Sequence, residues 1–224
     1  MTIVMIPAVV TEADSPASPA PPTLSRPHRR RREVIDAAWR VIVRDGLEAT
    51  TLRKIAHEGG FTTGVVSHYF ADKRAVIVSS FEAASADFLG DFADALDAAP
   101  SAAAQLIALV ETAVPDDSRR RAEWRLWSEM WSYAARDADF RRTLVATDAQ
   151  WEGAIADVLA AAQAEGLLDA RLDAAREATI VARLVDGLGV RAWLSGDWDG
   201  ARRVLEAHLE TLRAERGDRV GAHA

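Results

Sequence analysis

The chain has 224 residues, contains no cysteine and carries a formal net charge of −7 at pH 7. The absence of cysteine excludes a disulfide scaffold, a thiolate metal site and a cysteine nucleophile, and it favours a reducing compartment. The charge is unevenly divided, because residues 26–80 carry +5 and residues 81–224 carry −10. A basic region on an acidic chain is typical of a protein in which one end faces phosphate groups.

Two polar tails are predicted at the ends of the chain. Residues 1–25 are rich in Pro, Ala, Ser and Thr, which predicts a disordered tail, and residues 217–224 are expected to be flexible. No segment has the pattern of a signal peptide, and charges interrupt every window of the roughly 18 apolar residues that a membrane span needs. A cytoplasmic protein without a membrane partner is therefore predicted.

The first predicted helix begins with a basic cluster, Arg29–Arg32, and continues to Gly46. Its apolar positions recur at helical spacing, namely at Val34, Ala37, Ala38, Val41 and Ile42. Within the cluster, Arg29 and Arg30 are expected to reach the backbone or minor groove of DNA. A solvated charge run that only improves solubility is the alternative.

Residues 47–73 have the pattern of two short helices around a glycine turn, followed by the start of another helix. The predicted helices cover 51–58 and 63–70, and the glycines at 59 and 60 allow the second helix to cross the first steeply. A threonine cap and exposed polar residues follow the turn, which suits a helix that faces base edges. They are Thr62, Thr63, Ser67, His68 and Tyr69.

The remaining pattern is helical throughout and predicts an all-α protein of about nine helices. A connecting helix, 73–98, begins after the capping residue Asp72 and has its apolar residues on one face. Further helices are predicted at 102–114, 119–135, 139–165, 173–195 and 200–216. Ser118 is expected to cap the helix 119–135. This organisation predicts a DNA-binding domain at 26–72 and a helical ligand-binding and dimerisation domain at 73–216.

Three tryptophans form a stripe on one predicted helix, because Trp124, Trp127 and Trp131 are spaced i, i+3 and i+7. Core packing or a dimer contact is the favoured interpretation, and a pocket for a quaternary ammonium ion is the alternative, since indole faces attract cations. Asp186 is a second candidate for a ligand pocket. A helix–helix contact at Gly187 and Gly189 explains the neighbouring glycines equally well.

No pattern of catalysis or of cofactor binding is present in the sequence. HExxH, P-loop and GxSxG motifs are absent, and the histidines lie far apart, so no catalytic residue, metal site or cofactor is predicted. A DNA-binding protein that is not an enzyme is expected. The alternatives are an architectural DNA-binding protein without an effector and, less favoured, an all-helical enzyme.

Several segments of the sequence resemble those of a known family. The order of basic cluster, helix, GLEATTLRKIA and GGFTTGVVSHYFADKRAVI, followed by a helical body, is similar to the TetR family of bacterial regulators. The segments WRLWSEMWSYAARDADFR and LVDGLGVRAWL are similar to its BetI-type branch of choline-responsive repressors. The resemblance implies a homodimer through 173–195 and 200–216 that binds a palindromic operator in double-stranded DNA and leaves it when a small-molecule effector binds.

The resemblance also implies which residues contact DNA. The recognition-helix positions are Thr62, Thr63, Gly64, Val65, Ser67, His68 and Tyr69. Lys73 stands where such proteins place a phosphate-binding lysine, and Thr51 and Arg53 stand where backbone contacts are usual. The pair Gly59-Gly60 departs from the Ala-Gly of many members, and the extra glycine is expected to loosen the turn by up to about 1 kcal/mol.

Overall fold

A computed structural model describes residues 26–213 of the chain, with the backbone alone at residue 119. Within that range the chain forms nine α-helices, joined by short loops. They are α1 (Arg26–Asp45), α2 (Leu52–Glu58), α3 (Thr63–Tyr69), α4 (Lys73–Ala98), α5 (Ala102–Ala113), α6 (Ser118–Ala134), α7 (Ala138–Ala164), α8 (Ala174–Ser195) and α9 (Trp198–Thr211).

The predicted all-α architecture is confirmed, since one isolated bridge, between Leu168 and Arg213, is the only β pairing among the described residues. The helix predicted at 200–216 ends instead at Thr211, and the last of its predicted residues, 214–216, lie outside the described range. The predicted tails at 1–25 and 217–224 also lie outside it. No helix in the described part of the chain is long and apolar enough to cross a membrane.

Side-chain oxygen atoms cap most of these helices. The Thr51 hydroxyl accepts a hydrogen bond from the Lys54 amide at 3.2 Å, and the Asp72 carboxylate accepts one from Ala75 at 2.8 Å. The prediction that Ser118 caps α6 is wrong by one residue, because Asp117 accepts from the Arg120 amide at 2.8 Å. A carboxylate satisfies the open amides and also interacts favourably with the helix dipole.

Three apolar cores follow one another along the molecule. The head core joins α1, α2, α3 and the start of α4. The junction core lies between α1, α4, α6 and α7, and the body core joins α4 to α9. Helix α4 contributes to all three, through Val76, Phe81 and Phe92 respectively, each at most 1% exposed. Each such residue contributes about 1.5–3 kcal/mol by burial, so α4 firmly links head and body.

Candidate nucleic-acid interface and cavity

The turn between α2 and α3 depends on both of its glycines. Gly60 has φ +66°, a left-handed conformation that favours glycine. Gly59 has an ordinary φ of −87°, but a methyl group there would overlap the Phe61 ring. Gly59 therefore makes room for Phe61, which packs against the head core.

Helix α3 presents a polar surface beside this turn. Val66 is fully buried and holds the helix on the head core. Thr62 stands at the N-cap position, but its side chain makes no capping hydrogen bond. The His68 and Tyr69 rings meet edge to face, with 4.9 Å between their centroids. Most of the predicted recognition positions are exposed, namely Thr62, Thr63, Gly64, Ser67 and His68, while Val65 and Tyr69 are partly buried.

Two basic side chains flank this surface without an acidic partner among the described residues. Lys73 is the first residue of α4, and its Nζ donates to the Glu48 carbonyl oxygen at 3.0 Å. Arg53 is exposed on α2. By contrast, the neighbouring Lys54 Nζ lies 2.9 Å from an Asp45 carboxylate oxygen. Arg53 and Lys73 therefore keep a positive charge that no described carboxylate offsets, which suits contact with phosphates.

The basic cluster at 29–32 lies within α1, since that helix begins at Arg26. Arg29 remains exposed over 64% of its side chain, and the Arg30 guanidinium lies 4.9 Å from the centre of the Phe61 ring. Arg31 donates to the Ser79 hydroxyl at 2.8 Å, and Arg32 pairs with Asp87, both on α4. The cluster is therefore divided between residues that face solvent beside α3 and residues that hold α1 to α4.

A cavity of about 950 Å³ lies between α1, α4, α6, α7 and α8. All four pocket candidates from the sequence line it: Trp124, Trp127, Trp131 and Asp186. The favoured core interpretation applies to Trp124, which is 9% exposed in the body core, whereas Trp127 and Trp131 are partly buried between two cores. Residues that sequence analysis missed also line the cavity, among them Trp39, Phe88, Asp148 and Trp151.

Gly189 shapes one wall of this cavity. A methyl group at this position would overlap the six-membered ring of Trp124. A methyl group at Gly187, two residues earlier, would meet nothing within 4 Å, and this glycine is exposed. The two glycines therefore differ in role, because Gly189 lets an indole lie against α8 and Gly187 leaves the outer face of that helix open.

Two carboxylates, from α7 and α8, line the same cavity as the tryptophans. Burial, and then the neighbouring Asp186 carboxylate, raises the pKa of Asp148 to about 6. Burial also raises the pKa of Asp186, although Arg183 Nη1 donates to it at 3.0 Å. Arg183 also pairs with Glu152, and its Nη1 lies 3.9 Å from an Asp148 carboxylate oxygen. One guanidinium thus serves three carboxylates, which leaves this end of the cavity short of positive charge.

Polar contacts on the other side of α6 join it to the head. Arg125 Nη1 donates to the carbonyl oxygens of Val43 at 3.2 Å and Arg44 at 3.1 Å, near the C-terminus of α1. The Glu129 carboxylate accepts from the Leu47 amide and from Arg125 Nε at 3.3 Å. Glu129 therefore does not face the tryptophan stripe, which agrees with its offset in the sequence.

Comparison with known families identifies the chain. Residues 34–79 match the model for bacterial regulatory proteins of the tetR family, and residues 102–214 match that for the C-terminal part of BetI-type transcriptional repressors. The regulator BetI of Burkholderia thailandensis is 31% identical over 200 residues, which cover 87% of this chain and 99% of the relative. The chain belongs to the TetR family.

Other relatives of this TetR-family protein are also regulators. The transcriptional regulator PksA of Bacillus subtilis is 26% identical over 196 residues, covering 84% of this chain and 91% of PksA. A putative transcriptional regulator from Saccharomonospora viridis, solved in complex with choline, has a TM-score of 0.76 at 25% identity, covering 84% of this chain and 99% of that one. The predictions of a TetR-type repressor and of a BetI-type body are therefore confirmed at the level of the family.

In this TetR-family protein, no group of three or more His, Asp or Glu side chains is placed to hold a metal ion between residues 26 and 213.

Of the cavity residues that sequence analysis missed, Asp148 and Trp151 are spaced i, i+3, so they share one face of α7. That spacing was readable in the sequence. Nothing in the sequence indicated that this face meets the tryptophans of α6.

Proposed function

We propose that this protein is a dimeric repressor that leaves its operator when an organic cation enters the tryptophan-lined cavity. The observation that supports this most is that indole rings from α6 and α7 line the same cavity as the carboxylates of Asp148 and Asp186. Indole faces attract a desolvated cation by about 2 kcal/mol or more, and an undercompensated carboxylate adds to that attraction. Binding of choline by the Saccharomonospora viridis regulator supports the same class of ligand.

The operator surface in this proposal is the exposed side of α3 with its basic flanks. The recognition residues are those predicted from the sequence, Thr62 to Val65 and Ser67 to Tyr69. Thr51, Arg53 and Lys73 contact phosphates, and so do Arg29 and Arg30 at the start of α1. Side chains in the major groove distinguish bases, whereas basic residues at the edges set orientation and most of the affinity.

The dimer in this proposal forms through the outer faces of α8 and α9. Four of the six large apolar residues that are exposed in the described chain lie there, namely Ile180, Trp193, Leu194 and Val204. The exposed Gly187 allows a partner helix to approach closely. Two-fold symmetry then places two α3 helices about 34–36 Å apart, which requires a palindromic operator. A protein that binds chromosomal DNA acts in the cytoplasm, where we place this one.

A matched pair of ligands tests the effector class. Choline and 3,3-dimethylbutanol have nearly the same shape, but only choline is charged. We expect choline to bind at least about thirtyfold more tightly in a calorimetric titration of the full chain, as about 2 kcal/mol of cation–π attraction predicts. An operator selected from random DNA, labelled with a fluorophore, should then be released by choline and not by the alcohol.

Equal affinity for the two compounds would overturn the cation proposal. The absence of release despite tight choline binding would favour the architectural alternative, in which the body does not control the head. The observation against that alternative is the cavity itself, because a protein that only bends or bridges DNA needs no 950 Å³ space beside its DNA-binding helices.

A further inference from the structure

The cavity extends beyond the tryptophan stripe to the DNA-binding head. Its wall includes Ile35, Trp39 and Val43 of α1, the same helix that supports α3 through the head core. Its volume of about 950 Å³ is near the upper end of the roughly 300–1,000 Å³ typical of sites for drug-sized ligands. A small ammonium ion at the Asp148 end would leave most of this space unfilled.

The two ends of the cavity differ in charge. At the α7–α8 end, Asp148 and Asp186 share Arg183 with a further carboxylate. At the α1 end, every arginine that α1 contributes to the wall pairs with at least one carboxylate. Arg32 pairs with Asp36 at 2.8 Å and with Asp87, and Arg40 and Arg44 both pair with Glu58, at 2.9 and 2.6 Å. A positive group therefore belongs at the α7–α8 end, and neither charge is favoured at the α1 end.

An aromatic wall connects the two ends. The ring of Phe88 on α4 lies 5.0 Å from Trp151 and 6.2 Å from Trp127, measured between centroids. Trp127 and Trp39 in turn pack against the same junction core. An apolar chain attached to a cation at Asp148 would thus remain against aromatic surface as far as α1.

We infer, on the basis of the proposed function, that the effector is an extended organic cation. Its charged group lies between Asp148, Asp186 and the indoles, and its apolar portion reaches Trp39. The DNA-binding head then contributes directly to the effector site. Val43, one turn after Trp39, is held to α6 through its carbonyl oxygen by Arg125. A ligand that contacts Trp39 favours a different packing arrangement of α1 against α6. The ligand releases DNA to the extent that it binds this arrangement more tightly than the DNA-bound arrangement.

A series of alkyltrimethylammonium ions, from tetramethyl to octyl and kept below micelle-forming concentrations, tests this inference. Calorimetry on the full chain should show affinity rising about three- to fourfold per methylene, the equivalent of about 0.8 kcal/mol. Release of the labelled operator should increase along the same series. Trp39→Ala should lower the affinity for the octyl ion at least tenfold more than the affinity for tetramethylammonium.

The controls separate this inference from the proposed function on which it rests. Circular dichroism will show whether Trp39→Ala folds. Val43→Ala is a milder change on the same wall if it does not, and it should reduce the gain in affinity per methylene. Ile107→Ala, at an exposed residue of α5 outside the cavity, should retain the full dependence. Equal affinities along the series, or a dependence unaltered in both α1 variants, would overturn the inference alone. Failure of every cation to bind would overturn the proposed function and the inference together.

Discussion

The head and the body place their polar chemistry in opposite ways. In the head, the candidate contacts on and just before α3 lie close together in the sequence, are mostly exposed, and are supported from behind by the buried Val66. Around the cavity, the candidate ligand contacts come from five helices and are mostly half-buried, and two of them, Trp124 and Trp151, are also part of the body core. The head surface is therefore nearly independent of the fold's stability, whereas the cavity is not.

This difference has a consequence for substitutions. A change on the exposed side of α3 removes a contact with DNA and leaves the packed core unaltered. A change in the cavity alters packing and ligand affinity together, because the same atoms serve both. Stability and binding should therefore be separable in the head and coupled in the body.

The largest effect is expected from a substitution in the proposed dimer interface on α8 and α9, which would join two copies of the chain. Leu194 is 62% exposed on α8, and Leu194→Glu should give a monomer in light scattering at micromolar concentration, since burying an unpaired charge costs several kcal/mol. Operator affinity should fall at least about a hundredfold, because one head contacts only one half-site. Ile107→Glu, at a 60% exposed residue of α5, is the matched control. A dimer that persists in the Leu194 variant would contradict the α8–α9 interface.

Gly189→Ala tests the coupling of stability and binding in the body. The added methyl group would displace Trp124, so the melting temperature should fall by about 3–10 °C, as about 1–3 kcal/mol of overpacking predicts. Cation affinity should fall at least about tenfold. Gly153→Ala on α7 adds the same methyl group in open space and should instead raise the melting temperature slightly through helix propensity. Loss of stability without loss of cation affinity would break the coupling.

The dependence of cation binding on pH tests Asp148. Burial raises the pKa of this carboxyl to about 6, with Asp186, Glu152 and Arg183 as its charged neighbours, so acidification through pH 6 neutralises it. We expect choline affinity to fall as pH drops from 7.5 to 5. Without the cation, a pKa raised above the ordinary value of 3.8 means that ionised Asp148 destabilises the fold at neutral pH. Protonation at acidic pH removes this destabilisation.

The matched variants for this experiment lie on one helix. Asp148→Asn should lower choline affinity about tenfold at pH 7.5 and flatten the pH profile, whereas Asp157→Asn, at an exposed position of α7, should change neither. An unchanged profile in Asp148→Asn would assign the titration to another group.

The smallest effect is expected at Lys73 in the head. Lys73→Ala should weaken binding to every DNA sequence several-fold and flatten the plot of log affinity against log salt by about 0.9 for each subunit's lost phosphate contact. The melting temperature should change little, since Lys73 makes a single hydrogen bond to the Glu48 carbonyl. Arg142→Ala, with a side chain 75% exposed on α7, removes a basic residue from the body as a control. An unaltered salt dependence would remove Lys73 from the phosphate contacts.

Local sequence was sufficient for most of the head. The cap at Asp72 and the glycine turn depend on residues within a few positions of one another, and the structure agrees with both predictions. The threonine cap predicted after the turn is the exception, because the Thr62 side chain makes no capping hydrogen bond. The spacing of the three tryptophans likewise placed them on one face of α6. The division into domains at 72 and 73 stays a prediction, because α4 takes part in every core.

The cavity was not readable in the same way. Trp39, Phe88, Asp148 and Trp151 come from helices far apart in the chain, and their meeting depends on the packing of α1, α4 and α7 around α6. A stripe of indoles has the same spacing whether a neighbouring helix covers it or leaves a space, so its pattern could not distinguish core from binding site. Gly189 makes the same point, since only its contact with Trp124 separates its role from that of Gly187. Helical periodicity specifies which side chains share a face, and long-range packing specifies what that face meets.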